Sequence, residues 1–175
     1  MATVGGTVSE ATGGKFANGA VSGAFVHMFN AEGGAAVALN VVGKVWASAY
    51  TVAGLAYGGA GYIYGKIMGI DPSISFGHNA IQFINNPFIN EHEALTLGNS
   101  IIYGLNTGPN TDKSYGESGV LYGPHEEGHT YQYEALGPFY PIAYAIGGGF
   151  IGLANPLEQA AQNYAKGGSW WPGSW

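Results

Sequence analysis

The sequence predicts an α+β domain, mostly helical, with a small β-sheet and one polar helix that carries the chemistry. Three observations support this. The pentapeptide His125-Glu126-Glu127-Gly128-His129 is preceded by Pro124 and followed by Gly137-Pro138, which mark a helix start and stop. The β-branched and aromatic stretch Leu97–Gly104, bounded by glycine, reads as a strand, with Val120–Tyr122 as a second short one. Apolar stretches at 35–70 and 139–153 supply helical passes around them.

Composition bounds the possibilities. With 175 residues, 46% of them hydrophobic and only 9% charged, the chain can bury a core and does not have the composition of a disordered segment. Its net charge of −6, with five lysines and no arginine, provides no basic footprint for DNA or RNA. The absence of cysteine excludes disulfides and thiolate zinc sites, so any metal must be held by histidines and carboxylates.

Taken in order, residues 1–23 are rich in Gly, Ser, Thr and Ala and read as a linker, giving a lead-in over 1–30 and a domain over 31–175. MATVGGTVSEATGG has neither the basic nor the apolar region of a signal peptide. Between Lys44 and Lys66 runs an uncharged stretch, 45–65, with the length of a membrane span. Its glycines and four tyrosines favour a closely packed helix pair, with membrane insertion as the alternative. Asp71-Pro72-Ser73 is a turn or helix start, 76–94 a loop with short elements, and 105–119 a polar loop. The polar helix should run from Pro124 to about Leu136, and 139–153 should pass beneath it. Asn155-Pro156-Leu157-Glu158 opens a last helix, with asparagine as cap, proline at the first position and glutamate three residues after the cap. That helix stops at Gly167-Gly168, leaving a tail, SWWPGSW, that either folds back or forms a contact surface.

His125 and His129 are spaced i, i+4 and share one helix face, so both imidazoles can point at one metal ion, while Glu126 beside them can act as general base. A third ligand must come from His27, His78, His92 or an acidic residue. Glu158 is the leading candidate, although it also stands where a capping-box glutamate belongs. His92, in Asn90-Glu91-His92-Glu93, is its rival. Tyr131, Tyr133, Tyr140 and Tyr144 flank the motif, either as core residues or as donors to an oxyanion.

An H-E-x-x-H helix, a connection, then a glutamate on a second helix resembles the Glu-type zincin metallopeptidases. A wider pattern is similar to a family of small bacterial zincin-like domains, some of them toxin modules. It consists of T-L-G-N-x-I-I-Y at Thr96–Tyr103, H-E-x-G-H-x-x-Q at His125–Gln132, L-G-P-x-Y-x-x-x-Y at Leu136–Tyr144 and N-P-x-E-x-x-A at Asn155–Ala161. The glycine-rich run from Gly13 to Asn30 resembles the segment that follows the shell of Rhs-type polymorphic toxins. The resemblance implies a zinc ion (Zn2+) held by His125, His129 and Glu158, with Glu126 as base. Gln162 would be an outer partner where such enzymes often carry an aspartate. It also implies a protein or peptide substrate, a parent Rhs shell, a cognate immunity protein, and secretion or delivery into a target cell. Two other readings compete: a membrane-active or pore-forming toxin that inserts 45–65 and uses the motif structurally, and an interaction module built on the Trp-rich tail.

Overall fold

The computed structural model describes residues 34–113, 119–149 and 152–172, with side chains from Asn40 onward. The expectations for 1–30, and His27 with them, lie outside the described residues. The chain divides into Met1–Val42 and Gly43–Trp175. The described part of the first unit is helical, and the second holds the sheet and the site.

The architecture is α+β. Helices α1 (Gly34–Trp46) and α2 (Ser48–Ile67) lead into strands β1 (Ser73–Gly77), β2 (Ala80–Ile84), β3 (Ala94–Leu97) and β4 (Ser100–Tyr103). Helix α3 (Tyr122–Leu136), a 3-10 turn at Gly137–Phe139, α4 (Tyr140–Ile146), a second 3-10 turn at Gly152–Ala154 and α5 (Pro156–Ala165) follow. The sheet order is β1-β2-β4-β3, with two antiparallel hairpins joined by a parallel β2–β4 contact.

Both hairpins turn in two residues. Gly98-Asn99 closes β3–β4, splitting the single strand expected over Leu97–Gly104. His78-Asn79 closes β1–β2, where the sequence reads as loop. Both turn residues have positive φ, 50° and 58°, the backbone of a type I′ hairpin turn. Asparagine tolerates that conformation, whereas histidine there gives no turn signal in the sequence. The short strand expected at Val120–Tyr122 reduces to one bridge between Asp112 and Leu121, because Tyr122 already begins α3.

Alternation along β4 divides the sheet between two helices. Ser100 faces α2, where a Cβ on Gly54 would come within 2.7 Å of its Cβ. Ile101 and Tyr103 point the other way and cluster with Tyr122 of α3. The buried stripe on α2 is Gly54, Gly58, Gly61 and Gly65, and any side chain on Gly58 or Gly61 would collide with Phe83 or Asn86. Thus the 45–65 run packs against the sheet through backbone rather than bulk. No helix of the described residues is long and apolar enough to cross a membrane. A second core joins Ala47, Tyr133, Tyr140 and Leu157, tying the start of α2 to α3, α4 and α5.

Candidate metal centre

Helix α3 starts one residue after an extended Leu121 and ends at Gly137, whose φ of 52° takes it out of helical geometry. This places Pro124 in the first turn and Gly137 at the stop, as the sequence indicates. Helix α5 is capped by Asn155, whose Oδ1 accepts from the Leu157 N–H at 3.0 Å. Gly128, inside the motif, brings the two helices together. A Cβ there would lie 3.0 Å from the Ala161 Cα and 3.2 Å from its Cβ, so a larger residue would press α5 outward by a few tenths of an ångström.

That approach puts Glu158 beneath both histidines. His125 Nε2 lies 3.1 Å from His129 Nε2, 3.2 Å separates His125 Nε2 from Glu158 Oε2, and 3.3 Å separates His129 Nε2 from Glu158 Oε1. All three residues are buried, and together they could hold a metal ion. Glu158 does not close a capping box, because its oxygens go to the imidazoles and to the Tyr144 hydroxyl, which donates to Oε1 at 2.7 Å.

The outer partners fix how the rings present themselves. The Gln132 amide donates to two carbonyl oxygens, Leu157 O and Trp170 O, each at 2.9 Å. Carbonyls only accept, so the amide NH2 must face them and Oε1 must face His129 Nδ1, 2.9 Å away. His129 Nδ1 therefore carries a proton, and Nε2 is the nitrogen left to bind a cation. The Tyr140 hydroxyl lies 3.0 Å from the same Nδ1. His125 Nδ1 similarly donates to Gln162 Oε1 at 3.2 Å. Gln162 thus lies against His125, the residue the sequence pairs it with. Gln132 closes the H-E-x-G-H-x-x-Q pattern, but neither it, Tyr140 nor the Trp170 carbonyl carries this role in the sequence reading, because a pattern gives no hydrogen-bond partners.

The donor set fits a divalent cation. Ligands about 2.0–2.2 Å from a tetrahedral zinc lie about 3.3–3.6 Å from one another, and the three separations here, 3.1, 3.2 and 3.3 Å, need to widen by only about 0.2–0.3 Å on average. Glu158 Oε2 is buried and makes no hydrogen bond, although it sits beside a ring nitrogen. Two imidazole nitrogens and a buried carboxylate converge here on one point, a donor set that could hold a cation.

Electrostatics divide the two imidazoles. For His125, burial dominates and lowers the pKa. For His129, burial also opposes the charged form, but the Glu158 carboxylate outweighs it and the pKa rises. Burial would raise Glu158, yet the His129 charge and hydrogen bonds from both rings hold it well below the carboxylate range. Glu126 also resists burial: Lys113 first, then the two imidazoles, lower its pKa and keep it ionised. Thr96 donates to Glu126 Oε2 at 2.9 Å, and Lys113 Nζ lies 3.3 Å from Oε1.

A cleft of about 860 Å³ opens over this cluster, lined by Glu126, His129, Glu158, Lys113, Tyr144 and the edge strand β3. His92 reaches the cleft rim, but its side chain is 69% exposed and its carboxylate neighbour is Glu91, at 3.8 Å. His78 pairs with Glu127 at 3.0 Å, on another side of α3. Of the four tyrosines, Tyr133, Tyr140 and Tyr144 line the cleft, whereas the Tyr131 hydroxyl bonds to Glu127 at 3.1 Å. The tail folds back at Trp170, whose ring lies 6.0 Å from Tyr131. Lys113 lay unremarked in the polar loop 105–119, since a lone lysine in a loop carries no signal of burial.

No family model, curated protein or solved structure matches this chain.

Proposed function

We propose that this protein is a zinc-dependent hydrolase of peptide or amide bonds, of zincin-like type, with His125, His129 and Glu158 as metal ligands and Glu126 as general base. The observation that carries this reading is the convergence of His125 Nε2, His129 Nε2 and the Glu158 carboxylate beneath a cleft that Glu126 also lines. Two imidazoles and one carboxylate are a donor set typical of catalytic zinc with an open position. Bound there, zinc would bring the pKa of a coordinated water down to about 7 and polarise a carbonyl. Glu126, ionised and held by Thr96, takes a proton from the attacking water and returns it to the leaving amine. A peptide is favoured as substrate because β3 is an edge strand along the cleft, paired with a strand on one side only among the described residues, and an extended backbone can add to such an edge. The toxin setting, with its Rhs shell, immunity protein and delivery into a target cell, rests on the resemblance of the glycine-rich lead-in.

Glu126→Gln tests the chemistry. It should bind one equivalent of zinc, measured by atomic absorption, yet lose activity on labelled casein by about 10³-fold or more, since a positioned base contributes roughly 10²–10⁴. Wild-type turnover in that variant would refute the assignment.

A further inference from the structure

Lys113 is the only lysine among the described residues that is buried. Burying an ammonium is costly without a partner. Here Nζ lies 3.3 Å from Glu126 Oε1 and 5.0 Å from the centre of the Tyr122 ring, inside the cleft. Its backbone is pinned to the start of α3. The Lys113 N–H donates to Val120 O at 2.6 Å, Tyr122 N–H to Thr111 O at 2.9 Å, and Gly123 N–H to Pro109 O at 2.8 Å. Its position is therefore set by the same helix that carries the motif. Its charge also reaches both imidazoles, opposing protonation of each.

We propose that Lys113 is a catalytic residue that stabilises the oxyanion, its ammonium turning from the Glu126 carboxylate to the tetrahedral oxygen as the reaction proceeds. This rests on the hydrolase reading above. In the attacking step, a water O–H bond breaks and its proton goes to Glu126. The water oxygen bonds to the carbonyl carbon, and the carbonyl π electrons move onto oxygen. Glu126 thereby becomes neutral just as the oxyanion gains its charge, so the charge opposite Lys113 is transferred rather than created. On collapse, the C–N bond breaks, the amine nitrogen takes the proton from Glu126, and Lys113 pairs with the carboxylate again. The distances permit this exchange. Lys113 Nζ lies 3.3 Å from Glu126 Oε1 and both residues line the cleft, so the ammonium and the base face the same reacting atoms. Fixed donors aimed at such an oxygen are worth about 10²–10³ in rate.

The test uses the zinc-loaded full chain with labelled casein as substrate and a phosphinic peptide as an anionic tetrahedral mimic. Lys113→Met should retain one equivalent of zinc, lose about 10²–10³-fold in kcat with KM changed by less than about threefold, and bind the phosphinic peptide correspondingly more weakly. Lys113→Arg should retain about a tenth of kcat or more, and added propylammonium should restore part of the kcat of Lys113→Ala, an effect that a purely structural role would not produce. If Lys113→Met does not fold, the Arg variant and the rescue decide: failure of both overturns the proposal. A rise in KM alone, or wild-type kcat in Lys113→Met, also overturns it. If the wild-type protein holds zinc but cleaves nothing, the hydrolase reading fails and the proposal falls with it; if wild-type and Lys113→Met cleave equally, only the Lys113 assignment fails.

Discussion

Helix α3 takes part in two buried carboxylate clusters that differ in what surrounds them. At Glu134, three donors converge on one oxygen: Lys44 Nζ at 3.0 Å, and the amides of Asn79 and Asn99 at 2.8 Å each. Asn79 also donates to Thr130 at 3.0 Å, and Lys44 reaches the Asn79 oxygen, so the cluster closes on itself. At Glu158 the neighbours are two imidazole nitrogens and one tyrosine, and Oε2 makes no hydrogen bond. The first cluster is saturated with donors and locks the β1–β2 turn and the β3–β4 turn to α3. The second brings two imidazoles and a carboxylate to a point where they could hold a cation. Burial of an acidic residue does not separate the two; the donor count around it does.

Breaking each cluster should therefore give opposite results. Glu158→Ala should lower zinc affinity by more than the roughly 10–100-fold that an outer partner is worth, with only a modest change in the melting point of EDTA-treated protein. Glu134→Ala should leave zinc stoichiometry intact but cost roughly 1–3 kcal/mol of stability, because the Asn79 and Asn99 amides and Lys44 each lose one of their acceptors. Calorimetric zinc titrations and urea melts of both variants measure this. If the two exchanged phenotypes, the distinction between saturated and open clusters would be wrong.

A smaller effect separates the two glutamines behind the histidines. Gln132 is anchored by two carbonyls, so its orientation is set before any metal binds. Gln162 bonds His125 Nδ1, but its own Nε2 is buried and makes no hydrogen bond among the described residues. Gln132→Ala should lower zinc affinity by about 10–100-fold, and Gln162→Ala by less. Equal losses in zinc titrations of the two variants would show that the carbonyl anchors contribute nothing.

How much of this was legible in the sequence varies with the physics of each part. The two histidines and Glu126 were readable because i, i+4 spacing on one helix is a local constraint. The α5 start was readable because Asn155 and Pro156 satisfy purely local backbone needs. Glu158 could only be nominated: its identity as helix cap or site residue depends on how close α5 comes, and that is set by Gly128 against Ala161. The β1–β2 hairpin was missed because its turn is His78-Asn79 rather than one of the glycine-containing pairs that mark such turns. Lys113 was missed because its partner Glu126 lies 13 residues away across a loop, and the anchors that orient Gln132, the Leu157 and Trp170 carbonyls, lie 25 or more residues away.

The smallest expected effect concerns the proton that the metal must displace. In the metal-free protein, His129 has a raised pKa, so its charged form contributes stability that is full below about pH 6.5 and is lost as pH rises through the folded value. Glu158 has a depressed pKa, so its contribution is present above about pH 4.3 and is lost as pH falls through its folded value. The metal-free His129–Glu158 pair is therefore strongest in mildly acidic solution, between those limits. Burial lowers the His125 pKa, so its proton competes less with a cation than that of His129 does. Zinc must remove the His129 proton, so its affinity should rise by up to about tenfold per pH unit until that proton is gone, then level off. Zinc titrations at pH 6, 7 and 8 in buffers of different ionisation enthalpy would report both the slope and the release of about one proton. A flat profile with no proton released would mean that both imidazoles are neutral before the metal arrives, and that Glu158 faces them without a charge to hold it.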